Sequence, residues 1–327
     1  MNILITGAAG YIGSHVLKVL LEQSSHEICV IDNLSKGNIN AINELKKIRN
    51  FEFFNVSLED DLNEIFAKHK FDAIIHFAAF IEVFESTQDP LKYYLNNTAN
   101  VAKILTYCKI YGVNRFIFSS TAAVYGEPDT PEVSEESQTI PINPYGYSKL
   151  MSEQIIKDYA TSNKEFRYAI LRYFNVAGAD PDGLVGQNYP NATHLIKVAV
   201  QTILGKREKM AIYGDDYATD DGTCVRDYIH VSDLATAHVS ALNHINENQS
   251  EIFNVGYGRG FSVKEVVKMA KEVSGVDFKV DIANRRDGDP SVLISNASKI
   301  KTLTDWTPKF DDLKLIIKTA LEWEKRL

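Results

Sequence analysis

The sequence predicts a doubly wound α/β fold around a parallel sheet, on three observations. Short apolar runs alternate with helical patterns through the first half of the chain. β-branched residues and phenylalanine fill those runs on both faces, as strands buried on each side require. A glycine-rich turn, "GAAGYIG", joins the first run to the first helical pattern. Strands separated by helices in this way pair in parallel through right-handed crossovers.

The elements follow in order. "NILIT" at 2–6 reads as a buried strand, and helical spacing runs from Ile12 to about Gln23. "EICVID" at 27–32 and "FEFFNV" at 51–56 are the second and third strands. "LNEIFAKH" is a helix and "DAIIHFAA" at 72–79 a fourth strand. A long helix is expected over about 91–111, then a fifth strand, "RFIFSST", at 115–121. A helix carrying Tyr145 and Lys149 follows, then a strand "YAILRYFN" at 168–175. Beyond it, 176–193 is rich in Gly, Pro, Asn and Asp, which is loop chemistry. Residues 210–231 mix short strands with turns, and "EIFNVGYG" at 251–258 returns toward the main sheet. "SVKEVVKMAKEVSG" at 262–275 is an amphipathic helix closed by Gly275. Residues 1–175 are therefore expected to form a dinucleotide-binding domain, and 176–327 mainly a smaller mixed α/β substrate-binding region.

Bulk composition narrows the function classes. At 327 residues, 45% hydrophobic and 24% charged, the chain suits a globular enzyme with a proper core. Its net charge of −8 gives no sign of a polyanion as main partner and leaves room for a local pocket for a phosphorylated small molecule. Cys29, Cys108 and Cys224 are far apart and form no CxxC, which speaks against a disulfide framework or a zinc site. No metal site, nucleic acid or membrane contact is expected. The strand beginning at Asn2 leaves no room for a signal peptide, and no apolar run approaches the ~20 residues that span a bilayer. A cytoplasmic location is the expectation.

Two motifs carry chemistry. Gly7, Gly10 and Gly13 form a G-x-x-G-x-x-G turn between a strand and a helix, where backbone can approach a pyrophosphate and free N–H groups meet it. Asp32, after the second strand, can accept hydrogen bonds from adenosine ribose hydroxyls and would repel a 2′-phosphate, so NAD is favoured over NADP. "HFAA" at 76–79 leaves room for the nicotinamide side, or serves tight helix–sheet packing. Together these describe a Rossmann-type cofactor site. Tyr145 and Lys149, four apart, share a helix face. A lysine beside a tyrosine favours the phenolate, and a phenol tuned toward neutrality can exchange a proton with an alcohol. Thr121, at the end of the fifth strand, offers a hydroxyl to the same cleft.

With these motifs in place the chain resembles the extended short-chain dehydrogenase/reductases, and within them the UDP-glucose 4-epimerase family. The likeness covers nearly the whole length through "TGAAGYIGSH", "DNLSKGN", "HFAA", "FIFSSTAAVYGEP", "NPYGYSKLMSEQ", "LRYFNVAGA", "DDGTCVRDYIHVSDLA" and "RRDGDPS", in the family's order. "IEVFESTQDPLKYYLNN" is most similar to bacterial members accepting N-acetylated sugars. The resemblance implies that Tyr145 is the acid/base, Lys149 its tuner and a ribose ligand, and Thr121 a hydrogen-bond partner of the reacting oxygen. It places Gly7, Gly10, Tyr11, Ile12, Gly13, Asp32, Asn33, Ser57, Leu58, Phe77, Ala78, Ala79, Asn96, Lys149 and Tyr173 around NAD. It places Asn175, His194, Leu195, Ala211, Tyr213, Arg226, Arg286, Asp289 and Leu293 around a UDP-sugar, beside Thr121 and Tyr145. Arg226 and Arg286 are the expected diphosphate clamp, since guanidinium groups pair with phosphate oxygens bidentately. The alternatives are an ion pair of Arg226 with Asp227 or Asp233 and a plain core role for Tyr213.

Leu293 stands where the family walls the pocket beside the sugar C2 group. A leucine is smaller than the tyrosine of strict members and leaves room for an N-acetyl group, unless another residue restores the narrow pocket. Three positions depart from the family pattern. Ser57 replaces an aspartate near the adenine, Ile81 a lysine near the cofactor, and His194 an asparagine, where it is a substrate contact or a surface histidine. A related 4,6-dehydratase would need Asp-Glu after Thr121, where Ala122 and Ala123 stand. A decarboxylase would need recognition residues for a carboxylated sugar that the sequence does not display. A non-catalytic NAD sensor would not need both Tyr145 and Lys149. Helices near 91–111 and 148–161 carry apolar stripes that fit the family's homodimer or the sheet itself.

Overall fold

Alternating apolar strands and amphipathic helices assemble here into one main sheet covered on both sides. The computed structural model describes residues 1–189, 192–286 and 289–327. Five strands come from the first half: β1 (Asn2–Thr6), β2 (Glu27–Ile31), β3 (Glu52–Phe54), β4 (Ala73–His76) and β5 (Arg115–Ser119). Arg167–Tyr173 joins β5, and Glu251–Val255 joins Arg167–Tyr173 at the edge. The sheet order is Glu251–Val255, Arg167–Tyr173, β5, β4, β1, β2, β3, and every pair is parallel. The chain runs outward from β1 to β3, then returns to the other side of β1 with β4. This reversal opens a crevice at the carboxyl ends of β1 and β4, where ligands of such sheets bind.

Strand alternation sorts the core. Ile3 and Ile5 face one cluster with Val16, Leu17 and Leu20 of the first helix, α1 (Tyr11–Gln23). Leu4 faces the other with Phe66, Ile104 and Phe116. Side chains of period two in β1 thus supply both cores.

The second half forms a smaller assembly around Val225–His230. That strand pairs in parallel with Asn175–Ala177 and Val292–Ser295 and antiparallel with Gly260–Ser262. Met210–Tyr213 pairs with Val280–Ala283. The helix Val263–Ser274 ends at Gly275 with φ 69°, as expected, and its start has Ser262 and Glu265 in a reciprocal capping box.

Several boundaries differ from expectation. The strand expected over 168–175 is two: the main sheet stops at Tyr173, and Asn175 starts a strand of the second sheet. The fifth strand stops at Ser119, and Thr121 instead caps a short 3-10 turn, Ala122–Tyr125, accepting from the Ala123 N–H at 3.1 Å. The fourth strand ends at His76, so Phe77–Ala79 are loop. The single helix expected at 91–111 is a helical turn Pro90–Tyr93, a π-helical turn Tyr94–Ala99, then Asn100–Tyr111. Asn97 lies in that π turn, and its amide bonds the N–H and carbonyl of Phe80 and the Ser148 hydroxyl. Helices at Ile39–Lys46, Leu195–Ile203, Val231–Glu247 and Leu313–Glu324 were not foreseen. Val231–Glu247 is capped by the His230 ring rather than a Ser, Thr, Asp or Asn, so its start carries no ordinary signal.

Pro190 and Asn191 of the expected 176–193 loop, and Asp287 and Gly288 of the "RRDGDPS" block, lie outside the described residues. Among the described residues no helix is long and apolar enough to cross a membrane, and no cluster of His, Cys, Asp and Glu is grouped to hold a metal. All three cysteines are buried and free.

Candidate active site

The glycine turn takes its shape from contacts that exclude a side chain. Gly7 has φ 76°, and a Cβ there would stand 2.6 Å from the Ala78 nitrogen. The turn is thus pressed against the end of β4. At Gly10 an added Cβ would meet only the Gly7 carbonyl, at 3.2 Å, and otherwise open space. Gly10 is also the N-cap of α1, which has no side-chain cap and no acid in its first turn. A helix end left open and electropositive beside empty space fits a pyrophosphate. Tyr11 and Ile12 begin α1, and the Tyr11 hydroxyl donates to the Gly178 carbonyl at 2.6 Å, locking the turn to the second half.

Asp32 follows β2 and is nearly buried. Its Oδ2 accepts from the Ala9 N–H at 2.9 Å and its Oδ1 from the Leu34 N–H at 2.8 Å. Burial raises its pKa, while those two N–H groups oppose the shift. Each oxygen keeps a lone pair for ribose hydroxyls. Asn33 beside it is exposed and accepts from the Ser35 N–H at 3.1 Å. Ser57 closes a tight turn with Glu59 and Asp60, whereas Leu58 is buried in the core. Phe77, Ala78 and Ala79 form the loop beyond β4, and the Phe77 ring lies 4.9 Å from that of His238.

The proton-handling residues meet at the end of β5. Helix Pro144–Ser162 starts at Asn143, whose side chain accepts from the Gly146 N–H at 2.9 Å, with proline in the first turn. Tyr145 and Lys149 both face inward and are buried. The Thr121 side chain lies near enough to Tyr145 to oppose the rise of the phenol's pKa. The Tyr145 ring meets Tyr93 edge-on at 6.4 Å, and Tyr173 lies near enough to Tyr145 to feel its charge. Lys149 Nζ donates to the Ser119 carbonyl at 2.8 Å and lies 4.9 Å from the Phe118 ring centre. Asn96, in the π turn, donates to Asn97 at 2.9 Å, and Asn97 in turn donates to Ser148 of the Tyr145 helix.

Electrostatics correct one expectation. The neighbouring lysine was expected to pull the phenol's pKa down. Instead burial pushes Tyr145 up to about 12, with only the Thr121 side chain opposing. Burial likewise lowers Lys149 to about 7, with Glu153 opposing. Desolvation outweighs the pair's mutual effect because Lys149 is turned toward the Ser119 carbonyl.

Sequence reasoning overlooked a buried network behind this pair. Glu153 accepts from Ser120 Oγ at 2.5 Å and pairs with Arg172, 2.6 Å from its Nη2. Arg172 also donates to the Tyr125 hydroxyl, which donates to Asn254. Ser119 and Ser120 therefore hold Lys149 and Glu153, and Thr121, next in sequence, lies near Tyr145. The i, i+4, i+8 spacing of Tyr145, Lys149 and Glu153 was the available signal.

The residues expected around the nucleotide sugar hang from the second sheet. Arg226 lies opposite Leu293 in register, and Asn175 opposite Tyr228. Arg226 is buried and ion-paired with Asp289, not with Asp227 or Asp233. Asp227 instead accepts the Tyr257, Gly258 and Ser295 N–H groups. Tyr213 is partly exposed, not core, and the Arg286 guanidinium stacks 3.7 Å from its ring centre. Ala211 is two residues earlier on the same strand. Asn175, His194 and Leu195 line one small cavity together with Gln187 and Tyr228. The His194 side chain is exposed at the rim of that cavity and pairs with Gln187 at 3.0 Å. Leu293 packs with Ala122, Val124, Tyr125, Val133 and Phe174, directly behind the turn that Thr121 caps.

A dinucleotide crevice at the sheet's switch point, with an inward Tyr–Lys pair one strand away, defines a dinucleotide-dependent enzyme of the short-chain dehydrogenase/reductase type. Comparison with known proteins narrows this. The model of the NAD dependent epimerase/dehydratase family matches residues 3–256. The UDP-glucose 4-epimerase of Azospirillum brasilense is 49% identical over all of this chain and 92% of its own length. The UDP-Glc/GlcNAc 4-epimerase structure from Campylobacter jejuni is 60% identical, covers 100% of this chain and 99% of its own, and has a TM-score of 0.88. The Bifidobacterium longum UDP-glucose 4-epimerase, solved with NAD+ and UDP, is 33% identical at a TM-score of 0.95, covering 100% and 98%. The chain belongs to the NAD dependent epimerase/dehydratase family and, within it, to the UDP-glucose 4-epimerases, NAD-dependent isomerases of UDP-sugars.

Proposed function

We propose that the chain interconverts UDP-glucose with UDP-galactose and UDP-GlcNAc with UDP-GalNAc, with Tyr145 as the proton carrier. The observation that carries this is the meeting of Tyr145 and Thr121 at the crevice, backed by Lys149. NAD, when bound in the Gly7–Gly13 turn beside Asp32, would supply the hydride acceptor and donor for C4. Tyr145, as phenolate, takes the proton of the sugar 4-hydroxyl and gives it back at the end of the cycle. The Thr121 hydroxyl hydrogen-bonds the same oxygen and steadies its developing charge. Lys149, when charged, would offset part of the rise that burial gives the Tyr145 phenol, and it reaches the cofactor ribose. Between the two proton transfers the 4-keto sugar turns about its link to the diphosphate and presents its other face. Arg226, Arg286 and Asn175 hold the diphosphate through this turn, Asp289 a uridine ribose hydroxyl, Ala211 and Tyr213 the uracil, with Leu195 packed against the nucleotide and His194 at the same site. Cofactor contacts come from Gly7, Gly10, Tyr11, Ile12, Gly13, Asp32, Asn33, Ser57, Leu58, Phe77, Ala78, Ala79, Asn96 and Tyr173.

Acceptance of the N-acetylated pair rests on Leu293 and on similarity to the Campylobacter jejuni UDP-Glc/GlcNAc 4-epimerase. Residues 1–175 serve mainly NAD and 176–327 mainly the nucleotide sugar. Purified protein should convert UDP-glucose and UDP-GlcNAc, assayed separately by product analysis with and without added NAD. Absence of UDP-GalNAc would remove the N-acetyl substrates; absence of both products with NAD supplied would overturn the proposal. Leu293→Tyr should suppress the N-acetyl pair selectively. The larger ring also overpacks a buried site, at about 1–3 kcal/mol of stability. Equal losses on both pairs, with the fold intact, would refute the role of Leu293.

The protein is also proposed to act as a cytoplasmic homodimer. Phe84, Leu91, Leu95, Tyr147 and Met151 are exposed on helices that pack side by side, and a second copy of the same apolar face would cover them.

A further inference from the structure

Beyond the reaction itself, the loops above the cofactor crevice are tied together by a charged contact that the sequence analysis did not single out. Lys36 lies in the loop after β2, and Glu82 follows β4. Lys36 Nζ is 3.0 Å from Glu82 Oε1 and 2.7 Å from the Tyr189 hydroxyl. The Lys36 side chain is 36% exposed and that of Glu82 23%, so the contact stands at the mouth of the cleft rather than within the core. β2 and β4 are the two neighbours of β1 in the sheet. A bridge between the loops that follow them therefore crosses above the β1–α1 turn with Gly7, Gly10 and Gly13.

Both ends of the bridge are anchored. Beside Lys36, a Cβ on Gly37 would stand 2.7 Å from Ala9 Cβ and 2.8 Å from Asp32 Oδ1. The Asn38 N–H donates to the Ala9 carbonyl at 2.9 Å. This segment thus rests directly on the glycine turn and on the ribose acid. At the other end, the Glu82 N–H donates to the Tyr93 hydroxyl at 3.0 Å, and the Glu82 carbonyl accepts from it at 2.8 Å. Tyr189 brings in the segment between Asn175 and His194, so one lysine joins the cofactor loops to the substrate side.

We propose that Lys36, Glu82 and Tyr189 form a strap across the crevice that slows release of the bound dinucleotide. Lys36 and Glu82 are positioning residues: they act by holding the two loops closed over the pyrophosphate, not by touching the reacting atoms.

The test loads the full-length enzyme with NADH and follows loss of bound-nucleotide fluorescence after excess NAD is added. Wild type is compared with Lys36→Met, Glu82→Gln, Tyr189→Phe and the swap Lys36→Glu/Glu82→Lys. A partly exposed pair contributes up to about 1 kcal/mol, so each of the first two variants should release nucleotide about two- to fivefold faster. Added salt should speed release from wild type but not from Lys36→Met, since the pair is screened. The swap should return the rate toward wild type, and Tyr189→Phe should fall between. Release rates equal to wild type in both single charge variants, or a swap as fast as they are, would overturn the proposal. None of these residues is buried in the core, so unchanged melting temperatures are expected alongside.

Discussion

Gly146 sits between Tyr145 and Tyr147 at the point where the catalytic helix approaches the turn capped by Thr121. An added Cβ there would lie 2.7 Å from the Ala123 carbonyl oxygen and 2.9 Å from Pro141 Cβ. The first neighbour is backbone, so it cannot swing aside. Restoring ordinary contact requires the helix start and the turn to separate by roughly 0.8 Å, since such contacts settle near 3.5 Å. That is the gap across which Tyr145 meets Thr121. A 1 Å misplacement of reacting groups can cost about a hundredfold, so Gly146→Ala should lower kcat on UDP-glucose by about ten- to a hundredfold. This corresponds to about 1.4–2.7 kcal/mol in the barrier. Stability should change less. Overpacking costs about 1–3 kcal/mol, while alanine recovers up to about 1 kcal/mol of helix propensity. The assay is steady-state turnover at saturating UDP-glucose and NAD, with a thermal melt on the same sample. Turnover within twofold of wild type would refute the idea that close approach at Gly146 sets the Tyr145–Thr121 geometry.

Burial lowers His15 and His238 to about 4, and it depresses His76 and His230 to about 3. Each imidazole takes a proton near pH 6.5 when unfolded, so the unfolded chain binds more protons than the native one below that pH. Stability contributed by each neutral ring is therefore present above pH 6.5 and lost as pH falls toward the native value, by roughly 2 kcal/mol per ring at pH 5. The melting temperature should fall steeply between pH 7 and 5, and a flat profile would contradict the neutral buried rings. Leu95→Glu should convert the dimer to a monomer in analytical ultracentrifugation by placing a charge in the apolar face; a wild type that sediments as a monomer at high concentration would reject that face as an interface.

What the sequence made legible was whatever local chemistry alone determines. The glycine turn, Asp32 and the Tyr145/Lys149 spacing each depend on a short stretch of chain, and the structure sets them around one crevice. The helix Val263–Ser274 was legible for the same reason, since its amphipathic pattern and Gly275 are written into adjacent residues. Helix Val231–Glu247 was not, because a histidine ring caps it. The π turn at Tyr94–Ala99 was illegible because Asn97 is held by partners 17 and 51 residues away. Partner choice was likewise hidden: Arg226 selected Asp289, 63 residues on, over the nearby Asp227 and Asp233. The direction of the Tyr145 shift was misjudged because spacing reveals proximity but not desolvation. Glu153 was in plain view at the next helical step, but its importance depends on Arg172 and Ser120 being buried with it.

The most direct measurement is product analysis of Tyr145→Phe with UDP-glucose, on protein shown to retain its fold and its bound NAD. Losing the phenol hydroxyl removes the only group here proposed to carry the 4-hydroxyl proton. General acid–base catalysis of this kind contributes about 10²–10⁴-fold, so UDP-galactose should form at least a hundredfold more slowly. Formation at a rate within tenfold of wild type would show that the proton travels by another route and would contradict the account.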